Sequence, residues 1–305
     1  MRVFVTGASG YIGNAVAKAF RNKGHHVFGM VRSEKDAHLL SLDEIWPVIG
    51  DLDKLESYQK ALEECEVAVH CAFDWEEKGV ERDAKLIDNV LATFSKSSLP
   101  HAFLYTSGIW IYGSRGNQVV DESTPVNPIE IAKWRPIHEE KVLKAAAANF
   151  KTVILRPGCV YGNVGGLTNL IFTSTQNGMI KMIGEGRNRW PMVHVQDLAL
   201  AYVAAAEKEA NGLILNVAND TSVTVKELAE AVARSAGIEG KIKSLTPEEA
   251  HQQFGDMVQG LSIDLQVSNS RVKRLLGWQV HHPSFINDVD IYYNAWKTTQ
   301  VADEF

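Results

Sequence analysis

Thr6-Gly7-Ala8-Ser9-Gly10-Tyr11-Ile12-Gly13 decides how this chain is read. Before it runs Arg2–Thr6, a short β-branched segment suited to a buried strand. After it, Tyr11–Asn22 carries Ile12, Val16, Ala19 and Phe20 at helical spacing and stops at Lys23-Gly24. In a strand–turn–helix of this kind Gly7 permits the tight turn, Gly10 lets the backbone approach a pyrophosphate, and Gly13 lets helix and strand pack closely. The helix N-terminus adds free N–H groups and partial positive charge. Ser9, Tyr11 and Ile12 lie on the same turn and are candidate cofactor contacts with the three glycines.

Downstream, strand-like and helix-like segments alternate. His26–Val31, Val67–Cys71, His101–Thr106 and Lys151–Leu155 read as strands. Asp53–Cys65, Val80–Ser95 and Ile129–Asn149 read as helices, the last a long one. Such alternation predicts βαβ units and a parallel sheet covered on both faces. The expected fold class is α/β, a doubly wound Rossmann sheet over residues 1–160, with residues 190–218 returning to it. Residues 161–189 and 219–305 are expected to form a smaller, mostly helical substrate lobe. Within the lobe, Thr224–Ala236 has a hydroxyl start and a Gly237 stop. Thr246-Pro247-Glu248-Glu249 has a proline in the first turn and a capping-box glutamate.

Composition narrows the classes. The chain has 305 residues, 45% hydrophobic and 22% charged, with a net charge of -6, and no basic block suggests nucleic acid or anionic lipid as a partner. No run approaches the roughly 18 apolar residues of a membrane span. The start lacks a signal-peptide pattern, so a cytoplasmic location is expected. Cys65, Cys71 and Cys159 are too scattered for a disulfide framework or a zinc site, and no metal is expected.

The spacing Thr-Gly-x-x-Gly-x-x-Gly resembles the extended branch of the short-chain dehydrogenase/reductase superfamily, the epimerase/dehydratase-like group. Further stretches agree in order. Gly50-Asp51-Leu52 is similar to the adenine-contacting aspartate and its neighbour. His70-Cys71-Ala72 falls where the family has a loop against the ribose. Thr106-Ser107-Gly108 with Tyr112-Gly113 resembles the active-site serine strand. Arg156-Pro157-Gly158-Cys159-Val160-Tyr161-Gly162 resembles the loop beside the nicotinamide, and Val193-His194-Val195-Gln196-Asp197 a second family strand. The resemblance implies that Asp51, Leu52, Ala72, Pro157, Gly158 and Val160 contact the cofactor. It also implies a homodimer pairing through Val80–Ser95 and Ile129–Asn149, with Leu86, Val90, Leu143 and Ala147 compatible with the seam or with the chain's own sheet.

Met30-Val31-Arg32-Ser33, with Lys35 behind, closes the second strand without an acidic residue. Arg32, Ser33 and Lys35 suit a 2′-phosphate, so NADP(H) is the expected cofactor; a solvated basic loop is the alternative. The family's Tyr-x-x-x-Lys pair is missing. Aligning Asn127-Pro128 and Glu139 puts Ile131 and Arg135 at its two positions; a second register gives Ile137 and Lys141. This departure resembles atypical members that keep Arg-x-x-x-Glu and a segment like Gly186-Arg187-Asn188-Arg189-Trp190-Pro191. Ser107 and Arg135 are the leading catalytic candidates, Arg135 being also a cofactor-binding candidate that would take over the family lysine's hold on the nicotinamide ribose, and His138 and Tyr112 are candidates for the missing proton transfer. The expected activity is NADP-dependent oxidoreduction of a small or medium carbonyl or alcohol substrate. A redox-neutral epimerase or lyase and a non-catalytic NADP(H) sensor stay open.

Overall fold

A computed structural model describes residues 1–302. Seven parallel strands form the main sheet: β1 (Arg2–Thr6), β2 (His26–Val31), β3 (Trp46–Ile49), β4 (Val67–His70), β5 (His101–Thr106), β7 (Phe150–Pro157) and β11 (Leu213–Val217). Their spatial order is β11-β7-β5-β4-β1-β2-β3. The chain leaves β1 toward β2 on one side and later returns to β4 on the other. The switch point therefore lies at the C-terminal ends of β1 and β4, where doubly wound sheets open a ligand crevice.

Alternation along β1 explains the two layers. Val3 and Val5 point to one face and Phe4 to the other, and all three are fully buried. On the first face α1 (Tyr11–Asn22) and α7 (Val195–Glu207) bury Val16, Phe20, Leu198 and Tyr202. On the second, α3 (Gln59–Glu63), α4 (Gly79–Phe94) and α5 (Arg135–Lys144) bury Leu62, Leu86, Val90 and Val142 around Phe4 and Phe103. A third cluster, with Tyr161, Phe172, Trp190, Leu228, Phe285 and Trp296, is the apolar centre of the C-terminal region.

That region is helix-rich: α6 (Thr168–Ser174), α8 (Val225–Ser235), α9 (Pro247–Phe254), α10 (Val258–Leu261), α11 (Ser270–Leu276) and α12 (Val289–Ala302). Three small sheets stitch it together. One joins β8 (Cys159–Tyr161), β10 (Arg189–His194) and β12 (Ser222–Thr224); another pairs β9 (Ile180–Ile183) with β13 (Ile242–Leu245); the last pairs β6 (Val119–Val120) with β14 (Gln266–Val267). Both capping boxes form, Thr224 with Glu227 and Thr246 with Glu249. Residues 303–305, the end of the expected lobe, lie outside the described residues.

Several expected elements are corrected. Ile129–Asn149 is not one long helix. A 3-10 turn covers Glu130–Ala132, and α5 starts only at Arg135 because Pro136 fits the first helical turn and not the interior. The chain closes at Ala147, which bridges to Phe150. Asp53–Cys65 yields only a 3-10 turn, Leu55–Ser57, and the short α3. The pattern reading also leaves out α2 (Glu34–Leu42) and the edge strand β3. α2 is only weakly apolar and forms behind its Ser33 cap, while β3 is apolar but just four residues long and nowhere fully buried at the sheet edge. Leu86 and Val90 face the chain's own core and are unavailable to an intermolecular seam.

Candidate active site

Contacts around the glycine turn give each glycine a specific reason. Gly7 takes φ +68°, in the left-handed region, and a Cβ there would come within 2.8 Å of the Ala72 backbone. A Cβ on Gly13 would stand 2.1 Å from the Gly7 carbonyl oxygen. Gly10 caps α1 in extended conformation with no side chain capping the helix, and no acidic residue lies in the first turn. The first amides of α1 are thus left for an anion, which fits the pyrophosphate of a dinucleotide. Ser9 and Gly10 are exposed, and Ile12 is half-buried. Tyr11 donates its hydroxyl to the Gly162 carbonyl at 2.9 Å, and its ring lies where a Cβ on Gly165 would be. The 162–166 loop therefore rests on the turn.

A buried chain of hydrogen bonds fixes this turn to the opposite layer. The Thr6 hydroxyl meets His70 Nδ1 at 2.7 Å and accepts from the Ala72 amide at 3.3 Å. His70 Nε2 reaches Asp83 on α4 at 3.2 Å, and Asp83 also takes His138 Nδ1 at 2.7 Å and the Tyr105 hydroxyl at 2.9 Å. A carboxylate only accepts, so each ring nitrogen facing Asp83 carries its proton; neutral His70 then accepts from Thr6. Burial opposes the Asp83 charge, but the bonds from His138 and His70 outweigh it and hold its carboxyl well below the usual range.

At the end of β5 the Ser107 hydroxyl is buried, 4% exposed, and has no hydrogen-bond partner among the described residues. Its neighbour Thr106 gives its carbonyl to the Arg135 guanidinium at 3.2 Å. That guanidinium lies 4.4 Å from the Trp134 ring centroid and 5.3 Å from that of Phe73. Ser107 and Arg135 are thus brought together at the C-terminal edge of the sheet, with Ile131 half-buried one turn before Arg135.

The other two catalytic candidates are used differently. Tyr112 is fully buried; its hydroxyl accepts from Arg156 at 2.7 Å and donates to Asn216 Oδ1 at 2.9 Å, so its proton is engaged away from an open cleft. His138 is buried against Asp83 and the edge of Trp134. Arg156 clasps Glu139 on α5 through Nε and a terminal nitrogen, at 2.9 and 2.5 Å, fixing α5 to β7. Pro157, Gly158 and Val160 are buried, and a Cβ on Gly158 would sit 2.4 Å from the Pro191 oxygen. Burial pushes the Cys71 and Cys159 thiols up to about 12, so neither is a ready nucleophile.

At the adenosine end, Arg32, Ser33 and Lys35 are exposed. Arg32 and Lys35 have no carboxylate partner among the described residues. Ser33 is already engaged, accepting from the Asp36 amide as the α2 cap and donating to the Asp36 carboxylate. Asp51 accepts from the Asp53 amide, and Leu52 packs on the core beside it. Sequence reasoning missed Phe73, Trp75, Trp110 and Trp134, which gather beside Arg135, and also missed Asp83. Only the cluster Phe73-Asp74-Trp75 after His70-Cys71-Ala72 hinted at them.

Comparison with known proteins agrees with this geometry. An uncharacterized Schizosaccharomyces pombe protein is 31% identical over 96% of this chain and 100% of its own length. A Dictyostelium discoideum sterol-4-alpha-carboxylate 3-dehydrogenase, decarboxylating, is 26% identical over 74% of this chain and 73% of its own. In fold, the chain is similar to a dTDP-glucose 4,6-dehydratase from Bacillus anthracis solved with NAD. The TM-score is 0.84 at 17% identity, covering 98% of this chain and 97% of that one. A Bacillus cereus UDP-glucuronic acid 4-epimerase solved with UDP-glucuronic acid and NAD gives a TM-score of 0.83 at 18% identity, with 98% and 100% covered. Residues 3–218 match the model of the NAD dependent epimerase/dehydratase family, and the chain belongs to that family.

Proposed function

We propose that this protein is an NADP(H)-dependent oxidoreductase acting on a small or medium carbonyl or alcohol substrate without the family's tyrosine. The observation that carries the reading is the buried, unpartnered Ser107 hydroxyl beside Arg135 at the end of β5. A buried hydroxyl left without a partner is costly, and a substrate oxygen would satisfy it. When bound, the nicotinamide ring gives or takes a hydride.

The chain's residues do the rest. Gly7, Gly10 and Gly13 with the first amides of α1 hold the pyrophosphate, Asp51, Leu52 and Ala72 flank the adenosine and ribose, and Arg32 and Lys35 meet the 2′-phosphate. Ser107 donates to the carbonyl oxygen, and Arg135 keeps positive potential where negative charge develops. With the hydride that a bound nicotinamide would supply, Ser107 and Arg135 would hold the carbonyl oxygen while it takes a proton from solvent to become the alcohol. Ile131 has no proton to give, and His138 and Tyr112 act as positioning residues through Asp83 and Arg156. Residues 161–189 and 219–305 contribute to the choice of substrate. The protein works in the cytoplasm with its three thiols free, as a homodimer through the outer faces of α4 and α5, where Ile137 is 68% exposed.

Loss of reduced-nicotinamide absorbance on mixing NADPH with a panel of carbonyl compounds tests the reading. Turnover is expected. Products formed without net absorbance change would replace it with redox-neutral chemistry, and tight NADPH binding with no turnover on the whole panel would replace it with a sensor.

A further inference from the structure

We infer that the substrate is a flat aryl carbonyl compound without phosphate, its ring stacked on the aromatic wall of Phe73, Trp75, Trp110 and Trp134 and its oxygen at Ser107. The inference rests on the oxidoreductase reading and names the substrate class for that site.

Position comes first. Ala72 packs against Gly7 at the switch point, so the next residue, Phe73, leaves the sheet where the crevice opens. Phe73 stacks on Trp134 with ring centroids 5.0 Å apart and a 13° interplanar angle, and meets Trp75 edge-on at 5.1 Å. Trp75 in turn lies 6.4 Å from Trp110. Trp110 lies within the 3-10 turn Ile109–Tyr112 that comes just after Ser107. It is seated on Gly260, where a Cβ would come within 2.4 Å of the indole ring. The wall is therefore built from three separate chain segments, 73–75, 110 and 134, and braced from below.

Its surface is apolar and planar. Trp134 spends its indole N–H on the Ile131 carbonyl at 3.1 Å, and the isoleucine at 131 adds aliphatic rather than polar surface. Trp75 is 59% exposed although its neighbours are half-buried, so a large aromatic face stands open at the mouth of the site. Stacked or edge-on aromatic pairs gain beyond simple area burial, which favours a planar ring over a saturated one.

Charge selects against phosphate. Arg82 is taken up by Asp53, Asp74 and Glu76, Arg189 by Asp264, and Arg187 by Glu185. Arg135 remains, held over two aromatic rings with one N–H on the Thr106 carbonyl, and the other donors of its fork remain for a substrate oxygen. The adjoining loop is acidic on balance, with Asp74, Glu76 and Glu77 against Lys78, and Arg82 is already shared among Asp53, Asp74 and Glu76, which disfavours a phosphate. One polar end at Ser107 and Arg135 with one flat apolar end describes an aryl aldehyde or ketone.

Calorimetric titration of the NADPH-loaded protein with 2-naphthamide, an unreducible stand-in, tests this against cyclohexanecarboxamide, its saturated counterpart. The naphthyl amide is expected to bind about tenfold tighter. Trp75→Ala, at an exposed position, is expected to remove that preference while NADPH affinity stays unchanged, and Trp75→Phe to keep most of it. Equal affinities for the two amides, or full preference in Trp75→Ala, would overturn the inference. NADPH consumption with 2-naphthaldehyde is read separately. Selective amide binding with no consumption of any aldehyde supports the stacking wall and overturns the oxidoreductase reading alone. Consumption of small aliphatic aldehydes without aryl preference overturns the stacking wall alone.

Discussion

The two ends of the crevice are built on different principles. At the β1–α1 turn, the proposed function rests on backbone: free amides, a left-handed Gly7, and a Gly13 without side chain. At the β5–α5 end it rests on side chains from distant parts of the sequence, Ser107, Arg135 and the rings of Phe73, Trp75, Trp110 and Trp134. A backbone device tolerates almost no substitution and leaves a local signature. A side-chain device can be rebuilt with other residues, and the proposed function takes Ile131 and Arg135 to stand where the family has its tyrosine and lysine. The family relation therefore predicts the cofactor end better than the chemistry.

The largest expected effect breaks the cofactor end. Gly13→Ala forces a Cβ onto the Gly7 carbonyl at 2.1 Å, and backbone cannot swing aside. NADPH affinity should fall about a hundredfold or more, with a stability loss of roughly 1–3 kcal/mol. Gly10→Ala meets the same oxygen only at 3.2 Å and should be milder. Calorimetry on both variants checks the order; an unimpaired Gly13→Ala would mean that the close approach is not what holds the cofactor.

Ser107→Ala comes next and probes the other end. A donor aimed at a developing oxyanion contributes about 10²–10³ in turnover. The hydroxyl has no internal partner, so its removal should leave the melting temperature level or slightly raised. Turnover falling about a hundredfold with NADPH affinity intact is the expected split. A melting temperature that falls with activity unchanged would make Ser107 a packing residue.

These two tests also mark what the sequence made legible. The parallel sheet, the glycine turn, the Thr224 cap and the Thr246 capping box could be read because period, glycine spacing and cap residues are local facts. α2 and β3 could not, since neither carries a clear apolar pattern and both are set by the sheet edge. Pro136 could have stopped the over-long helix, because its missing N–H belongs in a first turn. Ser107 and Arg135 were found through motif spacing, but their hydrogen bonds and burial were not. His138 has the chemistry of a proton donor, and only the fold reveals Asp83 opposite it. The aromatic wall was invisible because its rings come from three segments far apart in the sequence.

A third, smaller effect lies between the ends, where α7 begins. His194 Nδ1 accepts from the Gln196 amide at 3.2 Å, and the ring stacks on His282 at 3.8 Å, itself bonded to Asp197. Burial and His282 lower the His194 pKa to about 4, only partly opposed by Asp197. The unfolded chain then binds the extra proton first, so stability is full above about 6.5 and declines as pH falls toward 4. The loss should reach at most about 3 kcal/mol, and His194→Gln should flatten it. Asp83 acts in a separate window: its depressed pKa keeps its contribution intact above about 4 and releases it only in stronger acid. Urea midpoints between pH about 7 and 4 distinguish the two; a flat profile in the unmutated protein would show that His194 titrates normally.

The smallest effect returns to the cofactor end, where side chains and not backbone make the choice. Arg32 and Lys35 are exposed, so their attraction to a 2′-phosphate is screened by water and salt and should amount to about tenfold in affinity. NADPH should bind about that much tighter than NADH, and Arg32→Asp should invert the order by repelling the phosphate and accepting from the ribose hydroxyls. Lys35→Ala should move the ratio less, because an ammonium lacks the planar fork. Ser33→Ala should chiefly weaken α2, by about 1 kcal/mol, since its hydroxyl already caps that helix on the Asp36 amide. Raising the salt concentration should shrink the NADPH preference while leaving NADH affinity nearly constant, a signature that apolar or backbone recognition would not give. Equal affinities for the two cofactors at low salt would remove Arg32 from the site, and the cofactor end would then be specific only through its backbone.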